Sequence, residues 1–315
     1  MSNIIGNAQL GFNNLSDNKI NISKLIKEIS NNILENKNVI IKANEKDILE
    51  NNGFEVDFDA IRTILNNIKE QKSLYKTKLL NKQKQEVTEY DNLGVLETFF
   101  DGNSYILIEM ALKSIISHNS MILISQRDYM KYTNAVIYNI LTRTLNSQKI
   151  DENIIQLIYD FDILKYCTNN LIIKKAFVIG NTDLHRTIKR VSKLDTKYIE
   201  YNDCDIYIEN IENIDKLKEF INSNSNVLFK IYINQSSKIK LDKAIYVEDV
   251  QEAIEKIRFD SCNYCTMLFS NRQQTKVEFS ELCKAKYIFV NRFMNFNQAI
   301  NIDINEFYCK KNIII

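Results

Sequence analysis

Proline and tryptophan are both missing from this 315-residue chain, and glycine occurs only 6 times. Average proline usage near 5% leads to an expectation of roughly 16 in a chain of this length. Proline codons are GC-rich, so the absence reads first as an AT-biased coding sequence, with avoidance of proline under proline limitation as the alternative. Either way, turns fall to Asn, Asp, Ser and Gly. An excess of either charge is missing too: 41 Lys and Arg face 40 Asp and Glu, a net charge of +1. No global field therefore steers the chain to nucleic acid or to an anionic membrane. Long apolar runs are absent, since Ile106–Met110 and Ile313–Ile315 fall far short of the roughly 18 residues of a spanning helix. Met1–Asn21 is polar and lacks the basic-then-apolar layout of a signal segment. The 6 cysteines, two of them three apart, suit a reducing compartment better than a disulfide scaffold. These features set the expectation of a cytoplasmic protein with no nucleic-acid and no membrane partner.

What is present is an ordinary globular balance, 45% hydrophobic and 26% charged residues, enough for one large or two ordinary domains. Residues 1–20 read as an irregular polar lead. Helical spacing of Ile22, Leu25, Ile26, Ile29 and Ile33 predicts a helix over Ile22–Lys37, followed by helices over Ile40–Glu50 and Asp59–Tyr75. Tyr75–Glu89 is polar and weakly strand-like. From Leu93 the period changes. Leu93–Phe100 reads as a strand, Ser104–Ser117 as a helix apolar nearly all round, and Ser120–Ser125 as a buried strand. Further strands at Ile154–Tyr159, Lys175–Ile179, Lys197–Tyr201 and Asp205–Glu209 alternate with helices at Tyr129–Leu145, Ile163–Cys167 and Thr182–Leu194. A second block follows: helices Ile214–Ile221, Val250–Ile257 and Gln274–Cys283, with strands Val227–Ile233, Ala244–Val247, Thr266–Phe269 and Tyr287–Val290. Glu306–Ile315 is strand-like. Such βα alternation predicts parallel, doubly wound sheets.

The text LGVLETFFDGNSYILIEMALKSIISHNSMIL at 93–123 resembles the aldehyde dehydrogenase superfamily, and most closely gamma-glutamyl phosphate reductase. That family shows a Leu-Gly-Val strand, a loop, a long buried helix, a Ser-Gly-Asn turn and a Val-Ile-Leu strand in the same register. Here the turn is Ser117-His118-Asn119. Residues 33–49, 177–188, 200–209, 259–271 and 285–294 follow in the family's order. The resemblance implies NAD(P)-linked chemistry through a cysteine thioester or thiohemiacetal, with a thiolate, an oxyanion pocket including an Asn amide, and a positioned nicotinamide.

Measured against that implication, the catalytic parts are not found. INSNSNVLFKIYIN at 221–234 runs directly into a strand with no Cys, and the stretch before Val250 is shorter than in relatives. Tyr105 occupies the oxyanion Asn position and Ser104 that of the proline before it; a buried Tyr at a helix start is the commoner role. Glu200 matches a base-type Glu of many relatives. Cys262 and Cys265 form a lone C-x-x-C and are the thiols to test as a relocated nucleophile. Cys283 and Cys309, 26 residues apart, do not complete a four-ligand zinc set. No metal is expected. For a cofactor, Gly180-Asn181-Thr182 after a strand suits a pyrophosphate at a helix N-terminus or equally a plain N-cap. Ser125-Gln126-Arg127 stands where relatives meet the adenosine ribose. NADP or NAD is thus possible on resemblance, without a residue set that secures it. His118 sits where the family has Gly, and His185 joins Arg186, Lys189, Arg190 and Lys193 on one basic face.

The expected fold is α/β and aldehyde-dehydrogenase-like. It comprises N-terminal helices and a doubly wound nucleotide-fold lobe over 1–205, including a hairpin at about 76–92. A trimmed catalytic-type lobe over 206–300 and an oligomerisation strand over 301–315 complete it. The expected function is a catalytically degenerate member acting through binding or assembly, as a homodimer; the alternative is an active NADP-dependent reductase of an acyl phosphate or aldehyde with a relocated cysteine.

Overall fold

The computed structural model describes residues 2–17, 20–51, 53, 55–81, 86–160, 170–180, 182–200, 203–224, 227–241, 243–260, 265–294 and 302–314. The chain forms two compact units: residues 1–179, 187–198 and 297–315 make the first, and residues 180–186 and 199–296 the second. Among the described residues no helix is long and apolar enough to cross a membrane.

The first unit opens with α1 (Ser2–Asp17), where an irregular lead was expected. Its apolar positions are diluted by Asn and Gly, yet Ile5, Ala8 and Leu15 are buried, and α1 packs on the sheet. A stripe this sparse becomes helical through the surface it covers rather than through propensity. Next come α2 (Ile22–Glu35), α3 (Lys37–Glu50) and α4 (Phe58–Glu70). Asn36 ends the second helix, its N–H donating to the carbonyls of Asn32 and Leu34. The polar stretch after α4 forms a hairpin of β1 (Lys78–Asn81) and β2 (Glu86–Asn92).

Then follow β3 (Val95–Phe100), α5 (Ser104–Ile116), β4 (Ser120–Ser125), α6 (Lys131–Ser147), β5 (Ile155–Tyr159), β6 (Ile173–Gly180), α7 (Thr182–Val191) and β7 (Thr196–Glu200), of which residues 180–186 and 199–200 count with the second unit. The strands lie in the order β5-β4-β3-β6-β7, so strand order reverses between β3 and β6, the switch point of a doubly wound sheet. The helix expected at Ile163–Cys167 lies outside the described residues. α5 is buried along its whole length, as its all-round apolar pattern requires. α6 has no cap from its own N-terminal residue; Asp47 of α3 supplies one, Oδ1 accepting from Tyr132 N–H at 2.9 Å and Oδ2 from Thr133 N–H at 2.8 Å. The turn after α5 puts His118 at φ 56°, a left-handed position where glycine is cheaper. His118 stacks on Tyr75 with ring centroids 4.4 Å apart.

The second unit holds β8 (Asp203–Ile208), α8 (Ile214–Ser223), β9 (Leu228–Asn234), β10 (Ile245–Val247), α9 (Val250–Asp260), β11 (Cys265–Phe269), α10 (Gln273–Leu282) and β12 (Tyr287–Val290). Its five strands run parallel in the order β10-β9-β8-β11-β12, again reversing, here between β8 and β11. Tyr207, Tyr232, Ile254, Leu268 and Phe279 form its core. The chain ends in β13 (Tyr308–Ile314), which returns to the first unit and pairs antiparallel with β2, giving the sheet β1-β2-β13.

Glu97, in the middle of β3 between Ile122 and Ala176, is buried and its Oε2 has no hydrogen-bond partner among the described residues. Burial pushes its carboxyl up from 4.5 to about 8. Glu97 is therefore neutral when folded and ionised when unfolded near neutral pH. Its contribution to stability is full below the unfolded pKa of 4.5 and lost as pH rises to about 8. We expect Glu97→Gln to flatten the decline of stability between about pH 5 and pH 8, adding on the order of 3 kcal/mol at pH 7. Denaturant titrations at three pH values check this; an unchanged slope would remove Glu97 as its cause.

Candidate functional site

Of the two residues proposed for thiol chemistry, Cys265 lies among the described residues. Cys265 begins β11, paired with Cys204 of β8 and Tyr287 of β12, and its side chain is fully buried. A thiol in such surroundings packs as a small apolar group. Cys262 lies outside the described residues. Between α8 and β9 only residues 224–227 intervene, and none is a cysteine. Among the described residues no group of three or more His, Cys, Asp or Glu side chains could hold a metal ion.

Tyr105, in the first turn of α5, is buried with its hydroxyl 2.6 Å from the backbone N–H of Asp57, which it accepts. Asp57 in turn caps α4, its Oδ1 accepting from Asp59 N–H at 2.9 Å. Burial raises the Tyr105 phenol well above its ordinary range. The hydroxyl thus joins two helices. Glu200 is the last residue of β7, with its side chain outside the described residues.

The cofactor candidates are partly absorbed by the fold. Gly102, after β3, has φ 91°, and a β-carbon there would come within 2.6 Å of the Arg127 carbonyl oxygen and 2.9 Å of Ser125 Oγ. The loop after β4 therefore fills the space over the first βα turn. Ser125 Oγ donates to the Arg127 carbonyl at 2.6 Å, so the hydroxyl serves its own loop. The Arg127 guanidinium lies 5.3 Å from the Tyr129 ring and donates to its hydroxyl. Asn103 caps α5 by accepting from Tyr105 N–H at 2.9 Å, while Asn134 links Ser104 Oγ to the Gly102 carbonyl. Gly180 closes β6, and a β-carbon there would meet Leu184 at 3.0 Å, so its smallness lets α7 fold back on the strand. Asn181 lies outside the described residues, as does the side chain of Thr182.

A constellation that the sequence did not single out lies in the second unit, at the carboxyl ends of its strands. Open parallel sheets hold ligands at that edge, where strand order reverses, and here β8 and β11 flank the reversal. Glu209, directly after β8, accepts from Ser270 Oγ and, at 3.2 Å, from Thr275 Oγ1. Its Oε1 lies 3.2 Å from Arg272 Nη1. The carboxylate is 11% exposed and the Arg272 side chain 75%. Asn291, at φ 53° after β12, clamps Ser270: its Oδ1 accepts from Ser270 N–H and its Nδ2 donates to Ser270 C=O, both at 3.0 Å. Two clefts adjoin this cluster and share Asn210, Ile211 and Asn271. One of about 360 Å³ is bounded by Glu209, Arg272 and Lys238. The other, of about 300 Å³, is bounded by Lys216, Phe269 and Phe293. The available signal was a polar residue at or directly after the end of every strand of the second unit: Glu209, Asn234, Glu248, Ser270 and Asn291.

No protein-family model matches the chain, and no curated protein matches its sequence. Solved structures match over nearly all of it. An acetylating aldehyde dehydrogenase from Geobacillus thermoglucosidasius superposes with a TM-score of 0.72 at 11% identity, covering 100% of this chain and 96% of that one. The fold is therefore that of the aldehyde dehydrogenases. Within it, the gamma-glutamyl phosphate reductase of Thermotoga maritima is similar at a TM-score of 0.62 and 14% identity, covering 99% of this chain and 97% of that one. The yeast counterpart from Saccharomyces cerevisiae gives 0.56 and 15%, covering 99% and 96%. The fold read from residues 93–123 is borne out, at identities that mark a divergent chain.

Removing the Tyr105 hydroxyl would leave the Asp57 N–H without its partner, a loss of about 1–3 kcal/mol. We expect Tyr105→Phe to lower the unfolding free energy by that amount in denaturant titration. A change below about 0.5 kcal/mol, the range of ordinary surface substitutions, would mean that the hydroxyl does not hold α4 to α5.

Proposed function

We propose that this chain keeps the aldehyde dehydrogenase fold without its thiol chemistry, and acts through binding and assembly as a cytoplasmic protein. The observation that carries the reading is Tyr105. Where the resemblance implies an amide that stabilises an oxyanion, this chain has a buried phenol engaged with the Asp57 backbone. The burial of Cys265 and the short α8–β9 connection support the same reading. A second reading, an NADP-dependent reductase of an acyl phosphate or aldehyde using a relocated cysteine, is favoured by Gly180, which closes a strand directly before a helix. Cofactor affinity is expected to be weak, because the turn lacks the additional glycines that bring a backbone close to a pyrophosphate.

The purified full chain is expected to show no NADP-linked turnover of glutamate semialdehyde or common aldehydes above background. Loss of an oxyanion donor alone costs about 2.7–4 kcal/mol of barrier. Turnover near the usual range of about 1–10³ s⁻¹, abolished by Cys265→Ala, would establish the reductase instead.

The assembly part of the proposal is a homodimer formed through β13. What supports it is that β13 pairs with β2 along one edge while its other edge carries no strand among the described residues. A strand edge left open in this way is an aggregation hazard, and an isologous two-fold contact would satisfy both copies at once. Light scattering on the full chain and on one ending at Asn312 tests it, since the shorter chain keeps Phe307, whose ring stacks on Phe177 of β6. A dimer that dissociates on truncation is expected; a stable monomer in both cases would exclude this interface.

A further inference from the structure

We propose that the carboxyl-end clefts of the second unit form a binding site for a small organic oxyanion, a molecule with a carboxylate or phosphate group on a compact apolar body. The inference deepens the binding reading above by naming a site and a ligand class.

Three observations carry it. First, Arg272 is held from behind. Glu209 contacts one Nη at 3.2 Å and is itself fixed by Ser270 Oγ and Thr275 Oγ1, while the Arg272 side chain, 75% exposed, lines the larger cleft. A guanidinium anchored on one side presents its remaining donors as a planar fork, the geometry that grips carboxylate and phosphate bidentately. Second, each cleft is lined by a lysine, Lys238 in one and Lys216 in the other, that forms no ion pair among the described residues. By contrast, Lys218 pairs with Asp215 at 3.4 Å and Lys256 with Glu252 at 3.5 Å. The lysines lining the clefts thus leave cationic charge for a ligand. Third, the smaller cleft adds an apolar wall, with Phe293 tilted against Phe269 at 5.3 Å and stacked on Phe220 at 4.7 Å. Asn210 and Asn271, shared by both clefts, offer amides that can donate or accept between wall and cations.

The arrangement assigns roles. Arg272 and Lys238 take the oxyanion, Phe269 and Phe293 the apolar body. Glu209 is a positioning residue: its carboxylate repels an anion but orients the guanidinium that binds it. The site lies where strand order reverses between β8 and β11, the position at which an open parallel sheet leaves a crevice between diverging connections.

Calorimetric titration of the full chain with phenyl phosphate, benzoate, inorganic phosphate and benzyl alcohol tests the proposal. Phenyl phosphate or benzoate is expected to bind at least tenfold more tightly than inorganic phosphate and benzyl alcohol, and the tighter of the two identifies the oxyanion. Arg272→Ala should weaken that probe at least tenfold and Lys238→Ala at least threefold. Both side chains are exposed, so unchanged thermal unfolding will show that the variants fold. Thr275→Val, which removes one support of Glu209, should weaken binding less than Arg272→Ala does. Absence of binding by both aromatic anions, or binding unaffected by Arg272→Ala, would overturn the site. That result would leave the loss of thiol chemistry standing, whereas aldehyde turnover would remove the latter without touching the titration.

Discussion

A buried ion pair on α5 governs the first unit. Glu109 and Lys113, one helical turn apart, lie 2.6 Å from each other with side chains 3% and 1% exposed. Each also serves Ile302: Glu109 Oε1 accepts its N–H at 2.9 Å, and Lys113 Nζ donates to its carbonyl. Two charges removed from water require such complete pairing, and loss of either partner would strand the other at a cost of about 3–5 kcal/mol. The pair therefore obliges the C-terminal segment to return to α5. Asn119 reinforces the return, accepting from the N–H groups of Leu93 and Gly94 and donating to the Phe307 carbonyl at 2.7 Å. Phe307 stacks on Phe177 of β6 with centroids 4.8 Å apart, and Glu306 bridges Lys175 at 2.6 Å and Lys197 at 2.8 Å. These contacts precede β13 and lead into its antiparallel pairing with β2.

The same economy explains what became of the positions that the resemblance marks as chemical. Tyr105 and Ser125 both lie at the carboxyl edge of the first unit's sheet, and each is engaged with backbone. In the second unit the equivalent edge differs in kind. Its polar side chains support one another yet leave a guanidinium and two lysines facing clefts.

Much of the architecture was legible in particular residues. The runs at 95–100 and 120–125 are buried along their length, as parallel strands between helices must be. The all-round apolar helix at 104–116 is interior, and the stripe Leu25, Ile26, Ile29, Ile33 faces inward. The register of 93–123 against a known family was enough to name the fold, because a buried strand–helix–strand unit tolerates few patterns. α1 was not legible: three buried side chains among Asn and Gly carry too little periodic signal, and the sheet it covers supplies the ordering.

The site was less legible than the fold. By itself the sequence determined the alternation of elements, the burial of α5 and the absence of a cysteine between α8 and β9, because these depend on local period and on residue identity. Only the tertiary structure decided that Tyr105 meets Asp57, 48 residues away, that Asp47 caps α6, and that Glu209, Ser270, Thr275 and Arg272 form one cluster. The reason is physical. A hydrogen bond is made within about 3 Å, and groups so far apart along the chain reach that distance only when helices pack together or parallel strands bring their ends to one edge.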